Sequence, residues 1–427
     1  MDSIDNPLEK IRVPSLIHKL LLPLLIAIQI ANTLAICIML AISYTLRFLQ
    51  IALFALPYCK TAWTKIVTWY HDWVQLLADN LLEDPRDEPI LACVIGLTLT
   101  ALPVLIIQLA VGELNYGLVL LFYAFIYGAN IRSFVRSFSA MHQDGHKPGG
   151  VFKGGSWCEK ATGNSFTYCY LAIFRGIIPH SPAHTQQHHR ENTSPKDVYA
   201  TEEFDHTNPW HFMKYMVNEV IYQQLMITPY MYFKKNKQIE QMRCMVMGNI
   251  VYFLLFTALA LFDLKIAFFY MAVPWFASNF LMGVIHWCQH AFYGGQQSPL
   301  DFAYNTTTVL ETPENFLNEG YHVCHHHPSC RHWSEAPELF IEIQDDMRRS
   351  RSIVFKDLST MDLYLLLMLK RYKTLAKKLV WWHDVTEEDK ITILKSRVRP
   401  TRYEANGTTN GSSNSATTSI STTAVSA

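Results

Sequence analysis

Long apolar segments dominate the first two thirds of the chain. Leu20 to about Tyr58 carries Leu, Ile and Ala on all faces, which predicts a membrane anchor rather than an amphipathic helix. It is also too long for the core of a cleaved signal peptide. Pro89 to Val111 is uncharged and long enough to span a bilayer, and Tyr116 to Asn130 begins the return. Met245 to Phe262 and Ile266 to His286 predict a second hairpin. The number of crossings in the first segment stays open.

The remaining segments are shorter or more polar. Phe166 to Ile178 is apolar but too short to span, so it predicts an interfacial helix. Met361 to Leu379 predicts an amphipathic helix with a Leu/Met face and a Lys/Arg face. After Glu404 the chain is mostly Ser, Thr, Asn and Ala, which predicts a disordered tail. The fold class predicted is therefore an all-α integral membrane protein, a bundle of about four to six transmembrane helices with a histidine-rich helical cap.

Composition agrees with a membrane protein and narrows its partners. Half of the 427 residues are hydrophobic and 17% are charged. The formal net charge is zero, so nothing indicates binding to nucleic acid. The nine cysteines are scattered and odd in number, which argues against a disulfide framework and favours a reducing compartment.

Histidines are the most informative residues of the chain. Thirteen of the 18 fall in four clusters, MHQDGH (141–146), HSPAHTQQHHR (180–190), HWCQH (286–290) and HVCHHHPSCRH (322–332). An even number of predicted crossings separates each pair of clusters, so all four reach one face of the membrane. Basic residues flank the membrane ends on that face, and by the positive-inside rule it is cytoplasmic. These are Arg132, Arg136, Lys234, Lys235, Lys237 and Arg243.

The spacing of these histidines predicts metal binding. His142 and His146 lie four apart, on one face of a helix. In a regular helix His184 and His188 would stack while His189 points about 100° away, so neighbouring histidines can reach two neighbouring ions. Imidazole suits iron, zinc, copper and nickel alike, so the metal stays open at this point. Cys324 and Cys330 beside His325 and His332 leave a structural zinc site as one alternative, and a membrane metal transporter is another.

The order HxxxH, HxxxHH, QH and HxxHH resembles the membrane fatty-acid desaturase and hydroxylase superfamily. The resemblance covers about residues 89 to 345, between a membrane anchor with an interfacial helix (1–88) and a cytosolic helical region (346–403) that precedes the tail (404–427). It implies two iron ions and dioxygen as co-substrate. It further implies a membrane lipid or acyl substrate, the endoplasmic reticulum, and an external electron donor, a b-type cytochrome or a ferredoxin with its reductase. The metal ligands that it implies are His142, His146, His184, His188, His189, His290, His322, His325 and His326.

Details of the motifs leave the reaction open between desaturation and hydroxylation. The stretch from Asn318 to His322 resembles acyl-CoA desaturases, whereas the three residues before His188 and His189 resemble the alkane-hydroxylase branch. Five further residues are candidates for an additional ligand or for orienting one, namely His286, His180, His327, His332 and Asp144. Tyr116 to Asn130 and Ile266 to Gln289 are predicted to line a substrate channel, with Trp275, Phe276 and Phe280 as candidate walls.

Overall fold

The structure is a computed structural model that describes residues 15–155, 157–175, 181–192, 194, 196–218, 225–293, 306–312, 315–327, 331–380, 384–400, 402–403 and 409–410. Within these residues, five segments are helical, long and apolar enough to cross a membrane: Thr33–Phe54, Pro85–Val111, Tyr116–Gly145, Ile239–Phe262 and Leu264–Gln289. The strands are short. The prediction of an all-α integral membrane protein is confirmed.

Two long helices open the chain. Helix α1 covers Ser15–Phe54 and α2 covers Pro57–Leu81, which begins at a proline because the first helical position needs no backbone N–H. Ala35 and Met39 of α1 lie in the same hydrophobic core as the later membrane helices. The predicted domain boundary between residues 88 and 89 therefore does not coincide with a break in packing.

Two hairpins form the centre of the membrane bundle. The helices of the first are α3 (Glu88–Leu99), α4 (Ala101–Val111), α5 (Tyr116–Tyr127) and α6 (Arg132–Gly145), with 3-10 turns at Pro85–Asp87 and Ala129–Ile131. The second hairpin comes later in the chain, after residues 146–238. Its helices are α13 (Ile239–Phe262), α14 (Leu264–Ala267) and α15 (Val273–Gln289), with a π-turn at Phe268–Ala272. Asn115 and Asp263 cap the returning helices by accepting hydrogen bonds from backbone N–H groups of the first turn.

Short helices fill the intervening segment. They are α7 (Trp157–Thr162), α8 (Phe166–Arg175), α9 (Ser181–Ala183), a π-turn at His184–His188, α10 (His189–Glu191), α11 (Pro209–Asn218) and α12 (Ile227–Lys235). The predicted interfacial helix corresponds to α8, but it is packed more deeply than predicted. Its Tyr168, Leu171, Ala172 and Phe174 are buried in the same core as α3, α5 and α6. Burial of these side chains makes α8 a part of the bundle.

A cap of short elements follows α15. Its elements are β1 (Thr307–Leu310), α16 (His322–His325), a 3-10 turn at Trp333–Glu335, α17 (Ala336–Arg349), β2 (Ile353–Lys356), α18 (Thr360–Met368), α19 (Tyr372–Lys378), α20 (Glu387–Arg397), β3 (Arg402–Tyr403) and β4 (Thr409–Asn410). Strand β1 pairs with β2 in parallel, and β3 pairs with β4 in antiparallel orientation. Most of the predicted disordered tail lies outside the described residues.

The prediction of a single amphipathic helix from Met361 to Leu379 is wrong, because two short helices occupy this segment. The chain reverses after α18, where Lys370 adopts a positive φ of 54° and the N–H of Arg371 donates to the carbonyl of Leu366. This reversal allows Leu367 of α18 and Leu375 of α19 to enter one core at the end of α15.

Candidate metal centre

Two groups of histidines converge where the C-terminal ends of two membrane segments meet. The first group consists of His142, His146, His184, His189 and His325, and the second of His188, His290 and His326. Within each group, one nitrogen of every ring lies within 4.8 Å of the others. Because the two segments end at one site, the even number of crossings predicted between them agrees with the structure.

The first cluster is held at the end of α6. His142 lies in its last turn and His146 directly follows it, so the two rings approach to 5.2 Å between centroids. His142 Nε2 lies 2.6 Å from His184 Nε2. The spacing of four residues thus brings this pair to one group through ordinary helical geometry.

A π-turn arranges the second cluster differently from a regular helix. His184–His188 form the π-turn, in which backbone hydrogen bonds join residues five apart, and the N–H of His189 donates to the carbonyl of His184. His184 Nε2 therefore lies 3.0 Å from His189 Nε2, while the ring of His188 turns to the other group. The predicted stacking of His184 with His188 is replaced by a pairing of His184 with His189.

The fourth cluster divides between the two groups as well. His325 joins the first group and its neighbour His326 joins the second. His322, at the start of α16, lies with its Nε2 3.3 Å from His290 Nε2 beside the second group. Helix α16 is a single turn, and the side chains of His325 and the following His326 point in different directions from its axis. One helical turn therefore provides a histidine to each group.

The chemistry of these rings fits metal ions. Ligand nitrogens around one ion with bonds of roughly 2.1 Å lie roughly 3 to 4 Å apart, which is compatible with the limit of 4.8 Å within which the nitrogens of each group lie. Among the described residues, buried nitrogens of His146, His325 and His326 have no hydrogen-bond partner. Burial and the neighbouring rings hold the pKa of His184, His189, His325 and His326 well below the ordinary value. The rings are therefore neutral, which is the form that binds metal.

Two carboxylates that the sequence analysis missed fix the orientation of ligand candidates. His142 Nδ1 donates to Glu319 Oε1 at 2.9 Å, and His188 Nδ1 donates to Asp197 Oδ2 at 2.8 Å. Each bond places the proton on Nδ1 and leaves Nε2 available to a metal. Glu319 stands three residues before His322 in a stretch that the sequence analysis had singled out, whereas no local signal marks Asp197.

Asp144 was predicted to orient a histidine, and the structure contradicts this. Its carboxylate is buried, and it accepts hydrogen bonds from the N–H of Val151 and from the hydroxyl of Ser165. Those bonds satisfy the side chain within the loop after α6. Asp144 therefore shapes the loop that follows the first cluster and does not contact a ring.

His332 also lies away from both groups. Its Nδ1 lies 2.8 Å from the hydroxyl of Ser334 and its Nε2 lies 3.1 Å from Asp87 Oδ1, so neither nitrogen is left for an ion. The alternative zinc site with His325 and His332 is not assembled, because these two rings belong to different surroundings. Cys330 lies outside the described residues.

The other candidates for an additional ligand or an orienting residue differ in their distance from the two groups. His286 packs beside the second group, with ring centroids 5.0 Å from His188 and 4.7 Å from His290, and within the part of the chain that the structure describes its buried Nε2 has no hydrogen-bond partner. A role as a tenth ligand or as an orienting residue remains a prediction. His327 is in neither group, and His180 lies outside the described residues.

A family model described as "Fatty acid desaturase" matches residues 115–356, more than half of the chain. The chain belongs to the fatty acid desaturase family. The match contains all nine histidines that the resemblance implies as ligands. Comparison with curated proteins and with solved structures gave no match.

A cavity of about 80 Å³ lies against the histidines of this desaturase-family chain. Rings from both groups line it, together with apolar side chains of α6, α8 and α15 and with Tyr199. These apolar residues are Phe138, Met141, Tyr168, Met282 and Ile285. Trp275, Phe276 and Phe280 were predicted as walls of a substrate channel, but they do not line this cavity. They pack between helices, and α6 rather than α5 forms the facing wall.

Asp87 joins the chain segments that contain the ends of the first and fourth clusters. Its buried carboxylate accepts from His332 Nε2 and from Trp333 Nε1 at 3.0 Å, and it pairs with the ammonium of Lys147. Lys147 is adjacent to His146. This carboxylate therefore joins the start of α3 to both segments.

We expect Asp87→Asn to destabilise the protein by about 2 kcal/mol, because a hydrogen-bonded charge partner of Lys147 is lost. Thermal unfolding of the full chain in detergent measures this. The matched change Asp84→Asn alters a more exposed carboxylate that pairs with Arg86, and we expect an effect below about 1 kcal/mol. Equal effects of the two substitutions would contradict the role assigned to Asp87.

Proposed function

We propose that this protein is an oxidoreductase that uses dioxygen to desaturate a fatty-acyl or similar lipid chain, with two iron ions held by the two histidine groups. One observation carries the proposal. An apolar cavity ends directly on imidazoles of both groups. An apolar chain in this cavity would present its C–H bonds to the site that the histidines form.

The residues of this chain would perform three tasks. Met141, Met282 and Ile285 would hold the acyl chain and exclude water from the site. Glu319 and Asp197 would hold the protons of His142 and His188 on Nδ1. The bound iron ions would supply the redox chemistry that reduces dioxygen and removes hydrogen from an unactivated C–H bond.

The overall reaction needs electrons from outside. Desaturation removes two hydrogen atoms from the substrate, and together with two further electrons and two protons these reduce one dioxygen to two waters. We propose a b-type cytochrome, or a ferredoxin with its reductase, as the donor. The sequence from His146 to Gly150 resembles the His-Pro-Gly-Gly haem-binding motif of b-type cytochrome domains, but Lys147 interrupts the motif and pairs with Asp87. We therefore propose a separate donor and no haem in this chain.

The membrane orientation is part of the proposal. The site lies at one end of the bundle, and the positive-inside rule assigns that end to the cytosol. Family resemblance favours the endoplasmic reticulum. Arg132 and Arg136 of α6 and Lys234 and Lys235 of α12 flank the membrane segments near that end.

Hydroxylation is the second candidate, because the second histidine cluster has the spacing of the alkane-hydroxylase branch. Both reactions begin with removal of a hydrogen atom from a C–H bond. They differ in product mass, since desaturation removes two hydrogens and hydroxylation adds one oxygen. We expect mass spectrometry of lipids from cells that express the intact chain to show the loss of two hydrogens. A gain of one oxygen would select the hydroxylase.

The same assay tests the cavity. Met282→Trp adds bulk to the cavity wall, so we expect less product at unchanged metal content. Leu254→Trp is the matched control, because Leu254 is 64% exposed on α13 and lines no part of the cavity. Unchanged product with Met282→Trp would exclude this cavity as the substrate site, and an unaltered lipid profile with the intact chain would contradict the proposed function itself.

A further inference from the structure

A second and larger cavity lies on the opposite side of α6 from the histidines. Its volume is about 290 Å³, and it lies between α2, α3, α5 and α6. On α6, Ser133, Arg136 and Ser137 face this cavity, whereas Phe138 and Met141 face the histidine cavity. The two cavities share no lining residue, so what occupies one need not occupy the other.

Small side chains on α3 create the space. The lining residues of α3 and the residue that follows it recur at helical spacing along one face, namely Pro89, Ala92, Cys93, Gly96, Leu97 and Thr100. Thr100 stands eleven positions after Pro89, so the cavity extends roughly 16 Å along the helix. A Cβ atom at Gly96 would lie 3.6 Å from the Tyr70 hydroxyl, which is an ordinary contact distance. A side chain longer than that of alanine at this position would therefore fill space beside Tyr70.

The walls favour an apolar occupant. The Tyr70 hydroxyl donates to the carbonyl of Ala92 at 2.7 Å, and the Thr100 hydroxyl donates to the carbonyl of Gly96 at 2.6 Å. Ser137 donates to the carbonyl of Phe134. These hydroxyl donors are already used within the protein, so water in the cavity would find few partners.

Arg136 places a positive charge in the wall of the cavity, where a second lining residue, His71, pairs with the Glu88 carboxylate. The guanidinium of Arg136 stands over the ring of Phe316 at 5.3 Å, and no described carboxylate lies within 4.0 Å of it.

We propose that this cavity binds an anionic lipid, with the acyl chain along the small-residue face of α3 and the anionic group at Arg136. An elongated apolar cavity with a cation in its wall matches the charge distribution of such a molecule. The anionic group is a carboxylate or a phosphate. The site does not depend on the reaction proposed for the histidine groups, because no histidine of either group lines it.

Photolabelling of the purified full chain tests the site. The probes are palmitate, phosphatidylserine and the zwitterionic phosphatidylcholine, each with a diazirine in the acyl chain. We expect palmitate or phosphatidylserine to label peptides of α3 and α5, and the more efficient of the two identifies a free fatty acid or a phospholipid. Equal labelling by phosphatidylcholine, or labelling spread evenly over all membrane helices, would overturn the proposal.

Two variants with matched controls complete the test. Arg136→Gln removes the charge and should weaken binding of the anionic probe by about fivefold, whereas Arg132→Gln, one turn away and outside the cavity, should not. Gly96→Leu should abolish labelling of α3, while Leu99→Phe alters the lipid-exposed side of the same helix. If Gly96→Leu fails to fold, the comparison of Arg136→Gln with Arg132→Gln is sufficient to test the site. The proposal is rejected if these two variants bind the anionic probe with equal affinity.

Discussion

Replacement of His325 by Ala is expected to abolish turnover while the fold is retained. The His325 ring lies against those of both His142 and His146, with centroids 4.3 and 4.5 Å away, and its buried Nε2 has no hydrogen-bond partner among the described residues. Loss of residues that only orient ligands commonly costs 10- to 100-fold, so we expect loss of a direct ligand to lower turnover by at least about 100-fold. Metal analysis together with turnover of the purified protein measures the effect.

The adjacent His327 provides the matched control. His325, His326 and His327 are consecutive, yet only the first two belong to the groups. We expect about two iron ions per chain in the unmodified protein and in His327→Ala, and fewer in His325→Ala, with similar unfolding temperatures for the three proteins once metal has been removed from all of them. Full activity of His325→Ala would refute the assignment of this ligand. Zinc alone, without oxygen-dependent turnover, would refute the enzyme.

Asp197→Asn is expected to lower metal affinity or turnover by about 10- to 100-fold. The Asp197 carboxylate is fully buried and accepts the proton of His188 Nδ1 at 2.8 Å. Asparagine can still accept that hydrogen bond, but it lacks the negative charge that makes the imidazole a stronger ligand. Titration of iron into the metal-free protein, followed by turnover at saturating iron, separates weaker binding from altered chemistry.

Asp205→Asn is the control for this substitution, because Asp205 lies in the same loop. Its carboxylate accepts hydrogen bonds from the backbone and the hydroxyl of Thr207 and has no described bond to either histidine group. We expect normal iron binding for Asp205→Asn. If the two variants bind iron equally well, Asp197 has no role in orienting His188.

The sequence was sufficient for several features because their physical cause is local. Membrane segments follow from runs of apolar residues, since a spanning helix must satisfy its own backbone within one segment. His142 and His146 come together because residues four apart share a helix face. Hydrophobic length and helical spacing act over one segment at a time, so they can be read without knowledge of the rest of the chain.

Other features could not be predicted because their partners are far apart in the sequence. Glu319 contacts His142 across 177 positions, and His332 contacts Asp87 across 245. No periodic pattern connects such residues, and only packing of the cap on the bundle brings them together. The incorrect prediction for Asp144 has the same origin, since proximity in the sequence to His142 and His146 did not place it against their rings.

By itself, the sequence determined the membrane segments, the capacity of the clustered histidines to hold metal and the family to which the chain belongs, because these depend on residue type and local spacing. Only the tertiary structure decided which ring joins which group. A π-turn pairs His184 with His189 and directs His188 elsewhere, and one turn of α16 divides His325 from His326. The choice between regular helix and π-turn depends on the surrounding packing, and residue spacing does not contain that information.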